Sequence, residues 1–282
     1  MMGKRVDGIM LSSAESDLSY EKKVKTAIEQ IRSGRFYQIN LLRYYSSLSI
    51  PTRQDLVNRI GILGGPFSCL FDLPQFCLAS FSPERFVKLK PGNKGVKIIT
   101  TPIKGTIARG KNSEEDELNK RKLIESRKDQ SELNIIVDLM RNDLNIVCLN
   151  GSVKVESPGE LHSFSKVHHL IAEIKGILRP KISFYELIQS ICPGGSITGA
   201  PKREVMCAIQ EAEQRSRGFF MGNAFYLDDR GYFDSSILIR TLVKDGQKPF
   251  EYAAGSGIVV NSCPELEAQE INSKCRVVID SI

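Results

Sequence analysis

The stretch IITTPIKGT, residues 98–106, is the part of the chain from which we work outward. Its isoleucine pair predicts a β-strand, because β-branched residues favour extended backbone. Pro102 fixes one backbone angle and Gly105 permits a sharp turn, so Lys104 is expected in a turn where the strand ends. A lysine held there can act as a nucleophile, if burial or a second cation lowers its pKa, or as an anion clamp. The alternative is a solvated lysine in a surface turn.

Composition places the chain among ordinary globular proteins. The 282 residues are 41% hydrophobic and 26% charged, which allows a sizeable core in one large domain or two small ones. The formal net charge is +6, and the basic residues are spread among acids, as on a solvated helix face. We therefore expect no nucleic-acid partner and a preference for small anionic ligands.

The cysteine pattern argues against both a disulfide scaffold and a zinc ribbon. The seven cysteines are odd in number, and no two of them have C-x-x-C spacing. No apolar run approaches the roughly 20 residues that a membrane span needs, and the N-terminus lacks the apolar core of a signal peptide. We expect a cytoplasmic protein with reduced thiols and no membrane partner.

Turn signals and apolar periodicity predict an α+β fold with largely antiparallel sheet. Two hairpins are indicated, one joining residues 67–71 to 76–81 and one joining 86–89 to 96–99. Strands occur in such pairs rather than alternating one for one with helices, and this is why antiparallel pairing is favoured.

Helix starts are predicted from capping residues. Ser19 is expected to cap the first helix, and Ser113 with Asp116 resembles a capping box. The sequence contains no internal repeat and no low-complexity linker. We predict a lead segment over residues 1–18 and a single domain over residues 19–282.

Two helices carry carboxylates at helical spacing. Asp129 and Glu132 are three residues apart on one predicted helix, and Glu267, Glu270 and Lys274 share one face of the last helix. Carboxylates from both helices would form an oxygen-rich site that suits Mg²⁺, which keeps several waters and binds few protein ligands. The alternative is an exposed helix with a surface Glu270–Lys274 pair.

Glycine-rich segments and one arginine are candidates for binding anions. The Gly194–Gly199 loop has P-loop spacing but lacks the Lys-Ser/Thr pair, which argues against nucleotide phosphate. Backbone N–H groups in this loop can still bind an anion at a helix start. Gly255 and Gly257 are expected to interrupt a strand for the same purpose. Arg240 lies late in a strand predicted over residues 232–243, where it can contact a carboxylate.

The histidines give no recognisable catalytic pattern at this level. His162, His168 and His169 lack triad partners that the sequence identifies, and the G-x-S-x-G elbow of serine hydrolases is absent.

Taken together, these segments resemble the chorismate-utilising enzymes. The resemblance covers the chain from about residue 34 onward, and nine words carry it in this order: FYQINL, SPERF, TTPIKGT, SELNIIVDLMRNDL, VHHL, PGGSITGAPKREVM, SSILIRTL, AGSGIV and PELEAQEINSK. It implies a chorismate-binding catalytic domain over residues 19–282, with sheets packed as a two-layer sandwich and flanking helices.

The word PIKGT is similar to the branch of the family that forms 4-amino-4-deoxychorismate for p-aminobenzoate and folate synthesis. Anthranilate-forming members usually carry alanine where this chain has Lys104. Isochorismate- and salicylate-forming members carry a base lysine near the position of Gln38, and glutamine cannot act as a base. The resemblance therefore implies ammonia rather than water as the incoming nucleophile, with anthranilate or isochorismate formation as the alternative.

The resemblance also implies roles for individual residues. Lys104 attacks C2 of chorismate, Glu84 protonates the departing C4 hydroxyl, and ammonia then enters at C4 and expels the lysine. Further residues are assigned to the magnesium ion and to the substrate. The implied metal ligands are Asp129, Glu132, Glu267 and Glu270, and the implied substrate-binding residues are Gln38, Thr106, His169, Thr198, Arg240, Gly255, Gly257 and Lys274.

The same resemblance implies the partners of the chain. Chains of this family are commonly longer by an N-terminal region of well over a hundred residues, which completes the sheets. No glutaminase-type Cys-His domain is recognised in the sequence, so ammonia is expected free or from a separate glutamine amidotransferase subunit. The sequence is also compatible with a truncated subunit that binds a partner without catalysis.

Overall fold

The computed structural model describes residues 9–164 and 167–279. Within these ranges the chain forms seven α-helices and two mainly antiparallel sheets, which confirms the predicted α+β class. The helices are α1 (Asp17–Arg32), α2 (Arg53–Leu63), α3 (Ser113–Glu125), α4 (Arg127–Val147), α5 (Phe184–Ile191), α6 (Lys202–Glu213) and α7 (Pro264–Ile279).

Fourteen strands lie in the described ranges. They are β1 (Leu11–Ser12), β2 (Gln38–Ser47), β3 (Cys69–Leu73), β4 (Phe76–Ser80), β5 (Arg85–Lys90), β6 (Lys97–Thr100), β7 (Ile103–Ala108), β8 (Lys154–Ser163), β9 (Val167–Ile177), β10 (Gly199–Ala200), β11 (Asn223–Leu227), β12 (Phe233–Ile237), β13 (Thr241–Asp245) and β14 (Glu251–Ile258). Both predicted hairpins are confirmed, because β3 pairs with β4 and β5 pairs with β6.

The chain divides into two compact units. Unit 1 comprises Met1–Pro83, Ile197–Ala224 and Ser236–Ile282, and unit 2 comprises Glu84–Ser196 and Phe225–Ser235. The single domain over residues 19–282 and the two-layer packing of the sheets stay predictions.

Unit 1 is built on a sheet whose strands run in the order β1-β2-β14-β13-β4-β3, with β10 paired to β2. Alternate residues of β2, among them Ile39 and Leu41, belong to a core that also contains Tyr20 of α1 and Ile271 of α7. Because side chains alternate along a strand, Gln38 and Asn40 are on the opposite face of β2.

Unit 2 holds the second sheet, in the order β11-β12-β5-β6-β9-β7 with β8 paired to β9, apart from the ends of β11 and β12 that belong to unit 1. Helix α4 contacts β7, β8 and β9. Its residues Leu133, Ile136, Val137 and Met140 are buried and form its apolar face.

Two predicted helix caps were wrong by one to three residues. Helix α1 is capped by Ser16, which accepts from the N–H of Ser19, so Ser19 is inside the helix. Helix α3 is capped by Asn112 rather than by Ser113. Caps compete locally, and the sequence offered adjacent serines and asparagines of similar capping strength.

The strand predicted over residues 232–243 was wrong as a single element. It consists of β12 and β13, which belong to different sheets, and the backbone breaks between them. Arg240 lies in this break with a positive φ of 51°, a left-handed conformation that ends a strand. The predicted interruption at Gly255 and Gly257 was also wrong, because β14 continues through both and pairs with β2.

All seven cysteines are free thiols. No helix in the described part of the chain is both long enough and apolar enough to cross a membrane.

Candidate active site

Lys104 lies inside strand β7, where the sequence predicted a turn. It pairs with Leu170 of β9, and the register shifts between Lys104 and Thr106, so Gly105 forms a β-bulge. Gly105 has a φ of +71°, which glycine adopts without strain. The lysine side chain is half-buried. The lysine side chain therefore extends from a strand that is paired with β9.

The bulge brings β7 against the start of helix α4. A Cβ built on Gly105 would lie 2.9 Å from Leu123 Cδ1 and 3.1 Å from Asp129 Cβ and Cγ. Ser126 caps α4 by accepting from the N–H of Asp129. Asp129 and Glu132 are both half-buried and lie about one helical turn apart. The glycine therefore permits a close approach between the lysine strand and a helix carrying two candidate metal ligands.

Thr106 and His169 are hydrogen-bonded across the same pair of strands. Thr106 Oγ1 lies 2.8 Å from His169 Nδ1, and the two residues are register partners. The Phe164 ring meets the His169 ring edge-on, with centroids 5.5 Å apart. The His169 ring is therefore buried and contacted on two sides, opposite the residue that follows the bulge.

A cluster centred on Asp116 was missed by the sequence analysis. Asp116 Oδ1 accepts from Arg109 Nε at 2.7 Å and from the N–H of Gly110 at 2.8 Å, and Oδ2 accepts from Arg109 Nη2 at 2.9 Å. His168 Nε2 lies 2.9 Å from Asp116 Oδ1, and His168 Nδ1 lies 2.8 Å from Ser163 Oγ. Hydrogen bonds from Arg109 and Gly110 hold the pKa of the Asp116 carboxyl well below its usual range.

The sequence identified no triad partners for His168, whereas the structure bonds its ring to both Ser163 and Asp116. Ser163, His168 and Asp116 form a hydrogen-bonded chain, but the imidazole is fully buried and both Asp116 oxygens are also bonded to Arg109. The predicted capping box at Ser113 and Asp116 was wrong for the same reason, since the aspartate binds the arginine and histidine instead.

In unit 1, Gln38 is fully buried in β2. Neither its amide nitrogen nor its amide oxygen has a hydrogen-bond partner among the described residues, and the same is true of Asn40 Oδ1. Buried amide groups normally find partners, because leaving one unpaired costs about 1–3 kcal/mol. The two side chains therefore offer one donor group and two acceptors to a polar ligand on one face of β2. Asn40 was not identified from the sequence.

Residues 197–200, here called the Thr198 loop, are joined to β2 and to the residue before it by backbone hydrogen bonds. The N–H of Asn40 donates to Thr198 O at 2.7 Å, and the N–H of Tyr37 donates to Ala200 O at 2.8 Å. Thr198 is buried. Arg217 Nη1 donates to Ile197 O at 2.8 Å, and its Nη2 donates to Asn40 O at 2.7 Å.

Glu213 holds this arginine in place. Its fully buried carboxylate accepts from Arg217 Nε and Nη2, from the N–H of Leu42 at 2.9 Å and from Tyr44 Oη at 2.8 Å. Burial and then the Glu213 charge raise the pKa of Tyr44 well above its usual range. The Glu213–Arg217 pair therefore fixes the Thr198 loop to the strand that carries Gln38.

The glycine strand and the last helix meet at Lys274. Its Nζ donates to Gly255 O at 2.7 Å and pairs with Glu270 Oε1 at 2.7 Å. The predicted surface pair is thus present, and it also reaches the backbone of β14. Glu267 is buried and accepts from Ser256 Oγ. Gly257 pairs with Asn40 on the adjacent strand.

Each unit contains some of the predicted site residues. In unit 2, Lys104 lies two residues before Thr106 on β7, and Thr106 is the register partner of His169 on β9. Asp129 lies beside the bulge at Gly105. Unit 2 also contains Glu132 and Glu84, its first residue. Unit 1 collects Gln38 and the Thr198 loop, and Gly255 with Lys274 and Glu270. Arg240 is half-buried, with its carbonyl accepting from the N–H of Phe81.

The carboxylates fit a hard divalent cation in their chemistry. Within the described ranges no group of three or more His, Cys, Asp or Glu side chains is arranged around a metal position. Each helix nevertheless carries two oxygen donors of the kind that Mg²⁺ binds, and that they share one ion stays a prediction: Asp129 and Glu132 on α4, and Glu267 and Glu270 on α7.

Comparison with known proteins gives the family. The sequence model described as "chorismate binding enzyme" matches residues 4–280. Aminodeoxychorismate synthase component 1 of Escherichia coli (strain K12) is 38% identical over 264 residues, covering 93% of this chain and 57% of that relative. Anthranilate synthase component 1 of Aquifex aeolicus (strain VF5) is 32% identical over 264 residues, covering 93% of this chain and 52% of that relative.

A solved structure agrees with the sequence matches. Anthranilate synthase component I from Streptococcus pneumoniae TIGR4 superposes with a TM-score of 0.87 at 27% identity, covering 99% of this chain and 61% of that one. The chain thus spans somewhat more than half the length of these relatives. Because the family match covers nearly every residue and the fold agrees, the protein is a member of the chorismate binding enzyme family.

Proposed function

We propose that this chain carries the catalytic residues of an enzyme that converts chorismate and ammonia into 4-amino-4-deoxychorismate. The observation that carries the proposal is Lys104 on the bulged strand β7, with Asp129 against the bulge and the Thr106–His169 pair one step along the strand. The matches to proteins named aminodeoxychorismate synthase component 1 support the same assignment.

In the proposed reaction, Lys104 supplies the nucleophile. Its neutral amine forms a bond to C2 of the chorismate ring, both ring double bonds shift toward C4, and the C4 hydroxyl leaves as water with a proton from Glu84. Ammonia then bonds to C4, both double bonds shift back, and the amine of Lys104 leaves from C2. Proton transfer from the incoming ammonium restores Glu84 to its acid form.

The carboxylates of Asp129, Glu132, Glu267 and Glu270 are proposed to hold Mg²⁺. When bound, the ion would neutralise a substrate carboxylate and favour the neutral form of a nearby lysine. Lys274, already bonded to Glu270 and to Gly255 O, would contact a ligand carboxylate or keep Glu270 oriented.

The remaining residues are proposed to orient the dianionic substrate. Arg240 and the backbone around Gly255 and Gly257 would hold the enolpyruvyl carboxylate, while His169 and Thr106 would line the ring. Gln38, Thr198 and the unpartnered amide oxygen of Asn40 would supply hydrogen bonds to ligand hydroxyl or amine groups.

Ammonia is proposed to come from a separate glutamine amidotransferase subunit. The word "component 1" in the names of the relatives supports a second component. Because relatives named anthranilate synthase component 1 also match, anthranilate is the second candidate product. Isochorismate is a third candidate product, and a role in binding a partner without catalysis is the remaining alternative.

The test is product identification with a matched lysine variant. The purified chain is incubated with chorismate, Mg²⁺ and ammonium, with and without a glutaminase subunit, and the products are separated and identified by mass. We expect 4-amino-4-deoxychorismate, and Lys104→Ala should lower turnover by about 1,000-fold, or about 4 kcal/mol in the barrier. Lys97→Ala, at an exposed position on strand β6 of the same sheet, should leave turnover unchanged.

Each outcome has a distinct reading. Anthranilate with pyruvate, or isochorismate, would replace the proposed product. A normal rate for Lys104→Ala would remove the covalent role. Binding of chorismate without any product, even with a glutaminase subunit, would favour the non-catalytic role.

A further inference from the structure

The Asp116 cluster extends to His169 by two routes that both lie in unit 2. The first runs through the chain itself, because His168, which bonds Asp116 and Ser163, precedes His169 in β9. Adjacent residues of a strand point to opposite faces. Anchoring the His168 ring on one face therefore fixes the backbone from which the His169 ring projects on the other.

The second route runs through Phe164. Arg109 Nη1 donates to Phe164 O at 3.0 Å while the rest of its guanidinium is bonded to Asp116. The N–H of Phe164 donates to Val167 O at 2.8 Å, which closes the connection between β8 and β9. The Phe164 ring then contacts the His169 ring edge-on. One guanidinium therefore ties the aspartate to the residue that covers His169.

The ionisation of Asp116 determines the direction of the hydrogen bonds that it makes. Asp116 is ionised, because Arg109 holds the pKa of its carboxyl low, so it can only accept. His168 Nε2 consequently donates to Asp116, and Nδ1 of the same ring is bonded to Ser163 Oγ. Lys120 Nζ, 3.9 Å from Asp116 Oδ2, is a further cation facing the carboxylate. The cluster is thus fully hydrogen-bonded before any ligand arrives.

We infer that Asp116 is a positioning residue, which acts through His168 and through Arg109 and Phe164 to fix the ring of His169 for substrate. Asp116 itself does not touch the reacting atoms. The inference rests on the proposed function for the identity of the substrate, but the orientation of His169 can be measured without it. Thr106 is hydrogen-bonded to Nδ1 of the His169 ring. The cluster supports the same ring from elsewhere, through the backbone at His168 and through the Phe164 ring.

The experiment combines histidine NMR with ligand binding, since the chain has three histidines to assign. In the full chain, Asp116→Asn should shift the His169 ring resonances and average its two tautomers. It should also weaken chorismate binding in the presence of Mg²⁺ by about tenfold, as loss of orientation predicts. Glu117→Gln, one residue away on the same helix with an exposed side chain, should change neither readout.

A second variant protects the test against misfolding. Arg109→Lys keeps the positive charge but loses the fork that joins Asp116 to Phe164 O, and its side chain is partly exposed. It should shift the His169 resonances in the same direction as Asp116→Asn.

The outcomes separate the two proposals. If the folded variants lower only the thermal midpoint, and leave His169 resonances and chorismate affinity as in the wild type, the positioning role is overturned. If His169 shifts as expected while even the wild-type chain fails to bind chorismate, the positioning role stands and the proposed function fails.

Discussion

The two units treat buried polar side chains differently. In unit 2, Asp116 and His168 are buried and every polar atom of their cluster is hydrogen-bonded within that unit. In unit 1, Glu213 is satisfied in the same way, yet Gln38 is buried with an amide that has no partner among the described residues. A satisfied group supports the fold, whereas an unsatisfied group lowers stability and is available to a ligand.

This difference distinguishes buried polar groups that stabilise the fold from buried polar groups that are available to a ligand. Glu213 accepts a hydrogen bond from Leu42 of β2, four residues along the same strand from Gln38. Only the burial of Glu213 is offset by hydrogen bonds within the described residues. We expect substitutions at the first kind of site to unfold the chain, and substitutions at the second kind to stabilise it while weakening ligand binding.

The largest effect is expected at Glu213. Glu213→Ala removes four hydrogen bonds and leaves Arg217 largely buried without its carboxylate, so unfolding free energy should fall by about 3–5 kcal/mol. Urea unfolding followed by circular dichroism measures it. Glu211→Ala, an exposed acid on the same helix, is the control and should change stability far less. Equal effects for the two variants would contradict the proposed importance of burial.

An intermediate effect is expected at the bulge. Gly105→Ala places a side chain at a φ of +71° and a Cβ 2.9 Å from Leu123, so stability should fall by about 1–3 kcal/mol. Gly151→Ala is the matched control, because its φ is +73° but nothing lies within 4 Å of the new Cβ. The difference between the two unfolding free energies measures the close approach of β7 to α4. A difference of zero would mean that the approach is not tight.

The smallest effect, and one of opposite sign, is expected at Gln38. Gln38→Met keeps the side-chain shape and removes two unpartnered polar atoms, so the chain should gain about 1 kcal/mol in unfolding free energy. Chorismate affinity, measured by calorimetry with Mg²⁺, should fall in the same variant. Gln54→Met, exposed on α2, should alter neither quantity. A Gln38→Met chain that is destabilised would show that the amide is satisfied in the folded protein.

Much of the local structure is determined by the sequence alone. The apolar face of α4 and the hairpins β3–β4 and β5–β6 were all predictable, because apolar periodicity and turn residues act over a few residues. The words around Lys104 and His169 also sufficed to predict the family, which the comparisons confirmed. The roles of Lys104 and Glu84 stay predictions.

Tertiary structure decided the features that depend on distant partners. Residues 232–243 have the pattern of one strand, but strand propensity does not specify which sheet each half joins, and the chain breaks near Arg240 to pair in both. The sequence predicted that Asp116 is part of a helix capping box, but its oxygens are bonded to a histidine 52 residues away and to a nearby arginine. Glu213 gave no signal at all, since its partner Leu42 lies 171 residues away. Local preferences are short-ranged, whereas burial and hydrogen-bond saturation are settled only when the whole chain has packed.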